Sequence, residues 1–377
     1  MKFEIVSNPS RLAIVCQQAS EKKAVMLDTE FVRTRTLYPQ LGLIQLYDGD
    51  NLVLIDPIKC DDLSTLWHLL KDPSVTKVLH ACGEDLEVFQ HVAGFMPAPL
   101  LDTQVMAAFL GHGVSMGFGS MVKEYLKIEL EKGEARTNWL ARPLTDKQLD
   151  YAAADVFYLL PLYETLLGKI EDAGWQDAMW QECVSVAAKR GKTPNPETAY
   201  RDIKNAWQLT PRQLAVLKSA AAWRLEEARK RDLALNFIVK EANLWKLARY
   251  TIKSKGFMAN QGFERMEIQR HGNRLVQMVM EAEKLRESEL PAPISRVVDF
   301  HGYKQQVKQI KAVVSDVETE TGLAQEFLAS KKQINQVISW YRKHDKAADK
   351  RPDMLSTWRR PLFESRIDAI LNDEDLA

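Results

Sequence analysis

The feature that most restricts what this chain can fold into is the point at which its strand-forming segments stop. Strand and helix signals alternate through roughly the first 170 residues, after which strand signals all but vanish and helical periodicity runs to the end. A chain of 377 residues exceeds what one hydrophobic core organises, so the change of pattern implies an α/β domain followed by all-α domains. Two breakers divide the helical part. Gly191-Lys192-Thr193-Pro194-Asn195-Pro196 ends any helix that reaches it, and Leu290-Pro291-Ala292-Pro293 interrupts the helices again. The expected division is therefore 1–170, a helical connector and linker at 171–204, a helical module at 205–290 and another at 291–377, with the polar stretch His344 to Pro352 read as a loop inside the last.

Within the first part, Phe3 to Val6, Ala24 to Phe31, Leu43 to Tyr47, Leu52 to Ile55 and Lys77 to His80 read as strands. Asp48-Gly49-Asp50-Asn51 is a hairpin turn, which predicts that the first three strands are antiparallel neighbours. Helices are expected at Ser10 to Gln18, Glu84 to Val92, Thr103 to Leu110, Ser120 to Leu126 and Thr145 to Ile170, packed on the faces of a mixed sheet.

Composition mainly excludes. Lys plus Arg (51) equals Asp plus Glu (51), so attraction to a polyanion must come from local patches. Cys16, Cys60, Cys82 and Cys183 lack the paired spacing of a zinc or redox site and read as reduced thiols. The first residues carry no signal-peptide stretch and no later run is long and apolar enough for a bilayer, so a soluble, cytoplasmic protein with no membrane association is expected.

The chemistry is concentrated in Val25-Met26-Leu27-Asp28-Thr29-Glu30-Phe31. Side chains alternate across a strand, so Asp28 and Glu30 share one face. A generic Asp-x-Glu pair usually lies on a solvated edge, but the apolar residues before Asp28 imply a buried, central strand. Two carboxylates held that close repel unless a cation compensates, and their hard oxygens, with no His or Cys in the stretch, favour Mg²⁺ or Mn²⁺. Downstream, Tyr151 and Asp155 lie one helical turn apart on one face, separated by three alanines that keep that surface slim.

Asp28-x-Glu30 together with Tyr151-x-x-x-Asp155 resembles the first and third motifs of the DEDD exonucleases, in their tyrosine-bearing subclass. The longer stretches Leu27 to Arg33, Tyr38 to Leu46 and Tyr151 to Val156 are similar to the ribonuclease D family. That resemblance implies a ribonuclease H-like mixed-sheet domain. It also implies a middle acid in His80-Ala81-Cys82-Gly83-Glu84-Asp85-Leu86-Glu87, where Asp85 is the position that aligns and the motif alone leaves Glu84 and Glu87 open. Asp28, Glu30, Asp85 and Asp155 would then hold two divalent cations, with Tyr151 completing the catalytic set by orienting the attacking water. Asp102 reads equally as a support of the site and as the N-cap of the helix after it.

Asn205-Ala206-Trp207-Gln208-Leu209 through Leu244-Trp245-Lys246-Leu247-Ala248 resembles an HRDC domain, with Ala234-Leu235-Asn236 where that family commonly carries prolines. The segments Phe327 to Ile334 and Trp358-Arg359-Arg360 resemble the second, divergent HRDC-like domain of ribonuclease D. Basic residues between Trp223 and Lys255 suit either a phosphate-tracking surface or a solvated helix face, and Trp207, Trp223 and Trp245 read as core. The resemblance implies a monomeric 3′-to-5′ exoribonuclease that trims tRNA precursors and other small structured RNAs with single-stranded 3′ ends, releasing nucleoside 5′-monophosphates. A DNA exonuclease would use the same acids. A scaffold with a lapsed nuclease would have lost some of them, and none is missing.

Overall fold

In the computed structural model, residues 1–131, 133–134, 136–344 and 346–372 are described; Asp345, inside the stretch read as a loop, and residues 373–377 lie outside the described residues. The elements of the α/β part run β1 (Glu4–Val6), α1 (Pro9–Ser20), β2 (Ala24–Val32), β3 (Gln40–Tyr47), β4 (Leu52–Ile55), α2 (Ser64–Lys71), β5 (Thr76–Leu79), α3 (Gly83–Val92), β6 (Leu100–Asp102), α4 (Thr103–Phe109), α5 (Phe118–Met121), α6 (Asp146–Phe157), α7 (Leu159–Asp172) and α8 (Gln176–Arg190).

The strands form one mixed sheet in the order β1-β4-β3-β2-β5-β6. The hairpin expected at 48–51 joins β3 to β4, and β2 pairs antiparallel with β3. The first strand departs from expectation. It is not an antiparallel neighbour of β2 but lies parallel to β4 at the sheet edge. The reason is α1: a helical crossover returns the chain in its starting direction, so β1 and β2 run the same way with two strands between them. β2 is interior, as its apolar run implies. Its Val25 and Leu27 join Ile44 and Leu46 of β3 against α1, α2 and α3, all fully buried. Each such aliphatic side chain contributes about 2 kcal/mol by leaving water. The opposite face of β2 and β3 is covered by α6.

Two helices differ from the reading of the sequence. Thr145 to Ile170 is not continuous but breaks at Tyr158 into α6 and α7, because Pro161 in the first turn of α7 has no N–H to offer the carbonyl four residues back. Ser120 to Leu126 becomes the end of α5 followed by a single π turn at Val122–Leu126, closed by Lys127 in the left-handed region (φ 60°). Two short elements, α2 and β6, carried no signal strong enough to read.

The chain divides into two compact units, one of Met1–Val32, Pro39–Gly191 and Phe300–Ala377, the other of Arg33–Tyr38 and Lys192–Asp299. The second unit is helical: α9 (Pro211–Arg231), α10 (Leu235–Ile238), α11 (Glu241–Arg249), α12 (Lys255–Asn260) and α13 (Arg265–Glu283). α9 opens on a capping box made by Thr210 and Gln213. Leu214, Leu217, Leu244, Leu247 and Val279 form its core. Trp223 and Trp245 pack on that core, but Trp207 does not: it is 40% exposed, with the Arg296 guanidinium 3.5 Å over its ring. Asp232, at φ 47°, accepts the N–H groups of Leu37 (3.1 Å) and Tyr38 (3.0 Å) and so ties the 33–38 segment into this unit.

The C-terminal helices α14 (Tyr303–Thr321), α15 (Gln325–Leu328), α16 (Lys331–Lys343) and α17 (Arg360–Leu371) belong to the same compact unit as the sheet. Phe109 and Trp175 meet Phe327 and Trp358 there in an aromatic cluster with ring centroids 4.8 to 6.2 Å apart. Beside it the buried Arg359 guanidinium donates to Glu182 of α8 and to the carbonyls of Leu328 (3.1 Å) and Phe327 (2.8 Å). Among the described residues no helix is long and apolar enough to cross a membrane.

Candidate active site

Strand alternation puts Asp28 and Glu30 on the α6 face of the sheet. Opposite Glu30 the register slips: Glu30 pairs with Leu43 and Phe31 with Leu41, leaving Gly42 as an extra residue in β3. Such a bulge twists the strand locally. Gly42 is required there, since a Cβ would lie 2.6 Å from the Trp139 carbonyl oxygen.

α6 begins with a second capping box, in which Thr145 Oγ1 accepts from the Gln148 N–H (3.2 Å) and Gln148 Oε1 accepts from the Thr145 N–H (3.0 Å). This fixes the rotation of the helix. Ala152 and Ala153 are fully buried, letting α6 approach the sheet closely, while Tyr151 and Asp155 one turn apart stay partly exposed. One carboxylate oxygen each from Asp28, Glu30 and Asp155 then lie within 4.8 Å of one another.

Asp85 comes from the first turn of α3 and is buried; the Thr29 hydroxyl, between the two acids of β2, donates to it. Its oxygens fall outside the close trio, yet its charge acts on Asp28, Glu30 and Asp155. The two alternatives are placed elsewhere: Glu84 is exposed, and Glu87 is paired with Arg190 at 2.9 Å. Asp102 is the N-cap read for it and also contacts the turn before Asp85. It caps α4 through the Gln104 N–H (2.8 Å) and accepts from the Ala81 (2.8 Å) and Cys82 (3.0 Å) N–H groups in the turn that leads to Asp85.

Among the described residues no basic side chain offsets the mutual repulsion of these four acids. Burial, followed by the charges of Asp85, Asp155 and Glu30, pushes Asp28 well above the usual carboxylate range. Burial and the Asp155 and Asp85 charges push Glu30 up to about 9. Burial raises Asp85 and Asp155 to about 7, opposed by the hydrogen bonds from Thr29 and Tyr151 respectively. Burial and the neighbouring acids also drive the Tyr151 phenol far above 10, so it stays protonated and donates to Asp155. Hard oxygen donors alone, clustered and destabilised as anions, fit divalent Mg²⁺ or Mn²⁺ and suit no soft metal.

Reasoning from sequence missed several residues around this cluster. Thr29 stood in plain view between the acids. Gln45, fully buried, pairs in register with Asp28, and neither end of its amide has a partner among the described residues. Trp139 and Arg142 lie in a loop before α6 where no periodicity marks them.

A mixed sheet with carboxylates gathered between its central strand and an overlying helix places the chain among the metal-dependent 3′-to-5′ exonucleases, and residues 3–171 match the family described as 3'-5' exonuclease. Residues 213–279 match the HRDC domain and 301–367 the ribonuclease D C-terminal HRDC domain. The chain belongs to the ribonuclease D family. It is 48% identical to ribonuclease D of Serratia proteamaculans over 98% of this chain and 99% of that one. It is 47% identical to the Escherichia coli enzyme over 99% of each. The crystal structure of Escherichia coli RNase D, described as an exoribonuclease involved in structured RNA processing, superposes with a TM-score of 0.95 at 46% identity, covering 99% of this chain and 100% of that one. The chain is accordingly a metal-dependent exoribonuclease.

Proposed function

We propose that this enzyme trims single-stranded 3′ ends of tRNA precursors and other small structured RNAs, releasing nucleoside 5′-monophosphates. The observation that carries this reading is the convergence of Asp28, Glu30 and Asp155 oxygens within 4.8 Å, with the Asp85 charge acting on all three. Two divalent cations, Mg²⁺ or Mn²⁺, held by Asp28, Glu30, Asp85 and Asp155 would supply an activated water and neutralise the leaving 3′ oxygen. Tyr151 orients the attacking water by hydrogen bonding. Thr29 holds Asp85 toward its ionised form by donating to it.

The structured-RNA role stated for the Escherichia coli relative supports RNA over DNA as substrate. We assign the exonuclease to 1–170, a connector to 171–204, and HRDC-type modules that grip the folded part of the RNA to 205–290 and 291–377. The four cysteines are free and buried, which suits a monomer working in the reducing cytoplasm.

The test is a time course on a 3′-tailed tRNA precursor and a DNA oligonucleotide of matched sequence, with Mg²⁺, with Mn²⁺ and with chelator. Stepwise, cation-dependent shortening of the RNA, lost in Asp155→Asn, is expected. Equal hydrolysis of the DNA would overturn the substrate assignment, and undiminished activity in Asp155→Asn would overturn the site.

A further inference from the structure

The loop 137–143 reaches from the sheet to the start of α6, and its construction bears directly on Tyr151. The Trp139 indole packs against the Tyr151 ring, with centroids 6.2 Å apart and planes tilted by 41°. Trp139 is fully buried, and its indole N–H has no partner among the described residues, so packing and the path of its own backbone hold the ring. That backbone is fastened by one side chain. Arg142 Nη1 donates to the carbonyls of Trp139 (2.9 Å) and Ala141 (2.8 Å), and Nη2 donates to the carbonyl of Gly42 (2.7 Å). The guanidinium also forks onto Asp56, just past β4, through Nε (2.8 Å) and Nη2 (2.7 Å).

All five N–H donors of Arg142 are thereby used inside the protein, so it has none to offer a phosphate. The pair is also shielded, with side-chain exposures of 16% for Arg142 and 5% for Asp56. At the other end of the loop, Thr137 Oγ1 accepts from Gln148 Nε2 at 2.9 Å, tying the strut to the first turn of the helix that carries Tyr151 and Asp155. The strut therefore spans from the Gly42 bulge opposite Glu30 to the helix bearing the opposing half of the site.

We infer that Arg142 is a positioning residue for hydrolysis, setting the Tyr151 ring through Trp139 with Asp56 as its fixed anchor. The inference rests on the role assigned to Tyr151 above. Displacement of a positioned group by a fraction of an ångström from a distant change costs on the order of tenfold to a hundredfold in turnover.

The experiment is a kinetic cycle of Arg142→Lys, Tyr151→Phe and the double variant, with kcat and KM measured on a short single-stranded RNA in Mn²⁺. Lys keeps the charge facing Asp56 but has three donors for five acceptors, so it loosens the strut while retaining an ion pair. Arg142→Lys should lower kcat about tenfold or more with KM changed less than about twofold, and should cost less than about twofold further in the Tyr151→Phe background. Losses that multiply in the double variant, a change confined to KM, or wild-type kcat in Arg142→Lys would each overturn the inference. Undiminished kcat in Tyr151→Phe alone would sink the reading of Tyr151 and this inference with it, whereas an impaired Tyr151→Phe with multiplicative losses sinks this inference only. Asp56→Asn, which weakens the anchor from its other side, should reproduce the same non-additivity with Tyr151→Phe, and additive losses there overturn the inference too.

Discussion

Glu30→Gln should make the metal-free protein less sensitive to alkali while destroying much of its capacity for divalent cations. Glu30 is 8% exposed and its carboxyl is raised from an ordinary 4.5 to about 9, by burial first and by Asp155 and Asp85 second. A group whose folded value lies above its unfolded value binds a proton in the native state that the unfolded chain releases. Stability of the metal-free protein therefore falls as pH rises from 4.5 toward 9. Between 4.5 and pH 7, at 1.36 kcal/mol per pH unit, this one group accounts for a loss of about 3 kcal/mol. Gln is nearly isosteric and does not ionise, so that part of the loss disappears. Urea unfolding in the presence of chelator at both pH values should show wild type losing about 3 kcal/mol more than the variant. Adding Mn²⁺ at neutral pH should stabilise wild type, whose carboxylates then ionise around the cation, and the variant much less. Stability curves that run parallel for the two proteins across this pH range would refute the argument that the site stores unfavourable charge for a metal to relieve.

Because Asp85 and Asp155 sit at about 7, cation affinity should climb steeply as pH rises through neutrality, with protons released on binding; calorimetry in buffers of different ionisation heat checks this, and pH-independent affinity contradicts it. Thr29→Val removes the donor that favours ionised Asp85, so the acid limb of the activity profile should move to higher pH, with turnover lost at about pH 6.5 and regained in alkali; an unmoved limb would separate Thr29 from the chemistry. Arg359→Met leaves the buried Glu182 without its ion-pair partner, although the Trp358 indole N–H (2.8 Å) still donates to it, and should cost about 3–5 kcal/mol in thermal or urea unfolding, whereas a loss under about 1 kcal/mol would show that the pair contributes little to joining the C-terminal helices to α8.

Local physics made much of this protein readable in advance. The alternation in β2 assigns Asp28 and Glu30 to one face whatever the rest of the chain does, and the helical spacing of Tyr151 and Asp155 is equally local. The hairpin at 48–51 and the end of α8 at Gly191 follow from turn and breaker chemistry. Strand order did not, because β1 finds β4 through contacts between residues about 50 apart in the chain, which no short window contains. For the same reason Trp207 was misread: its helical register resembles that of a core residue, and its 40% exposure is settled by what packs around it.

The sequence by itself determined that Asp28 and Glu30 share one face of β2 and that Tyr151 and Asp155 lie one turn apart on α6. Only the tertiary structure decided that Asp85 meets Thr29 of β2 while Glu84 is exposed and Glu87 pairs with Arg190, and that a loop pinned by Arg142 and Asp56 packs Trp139 against Tyr151 of α6. The physical reason is that side-chain direction within an element is set by backbone periodicity, whereas convergence of separate elements is set by packing a shared core, and packing depends on every neighbour at once.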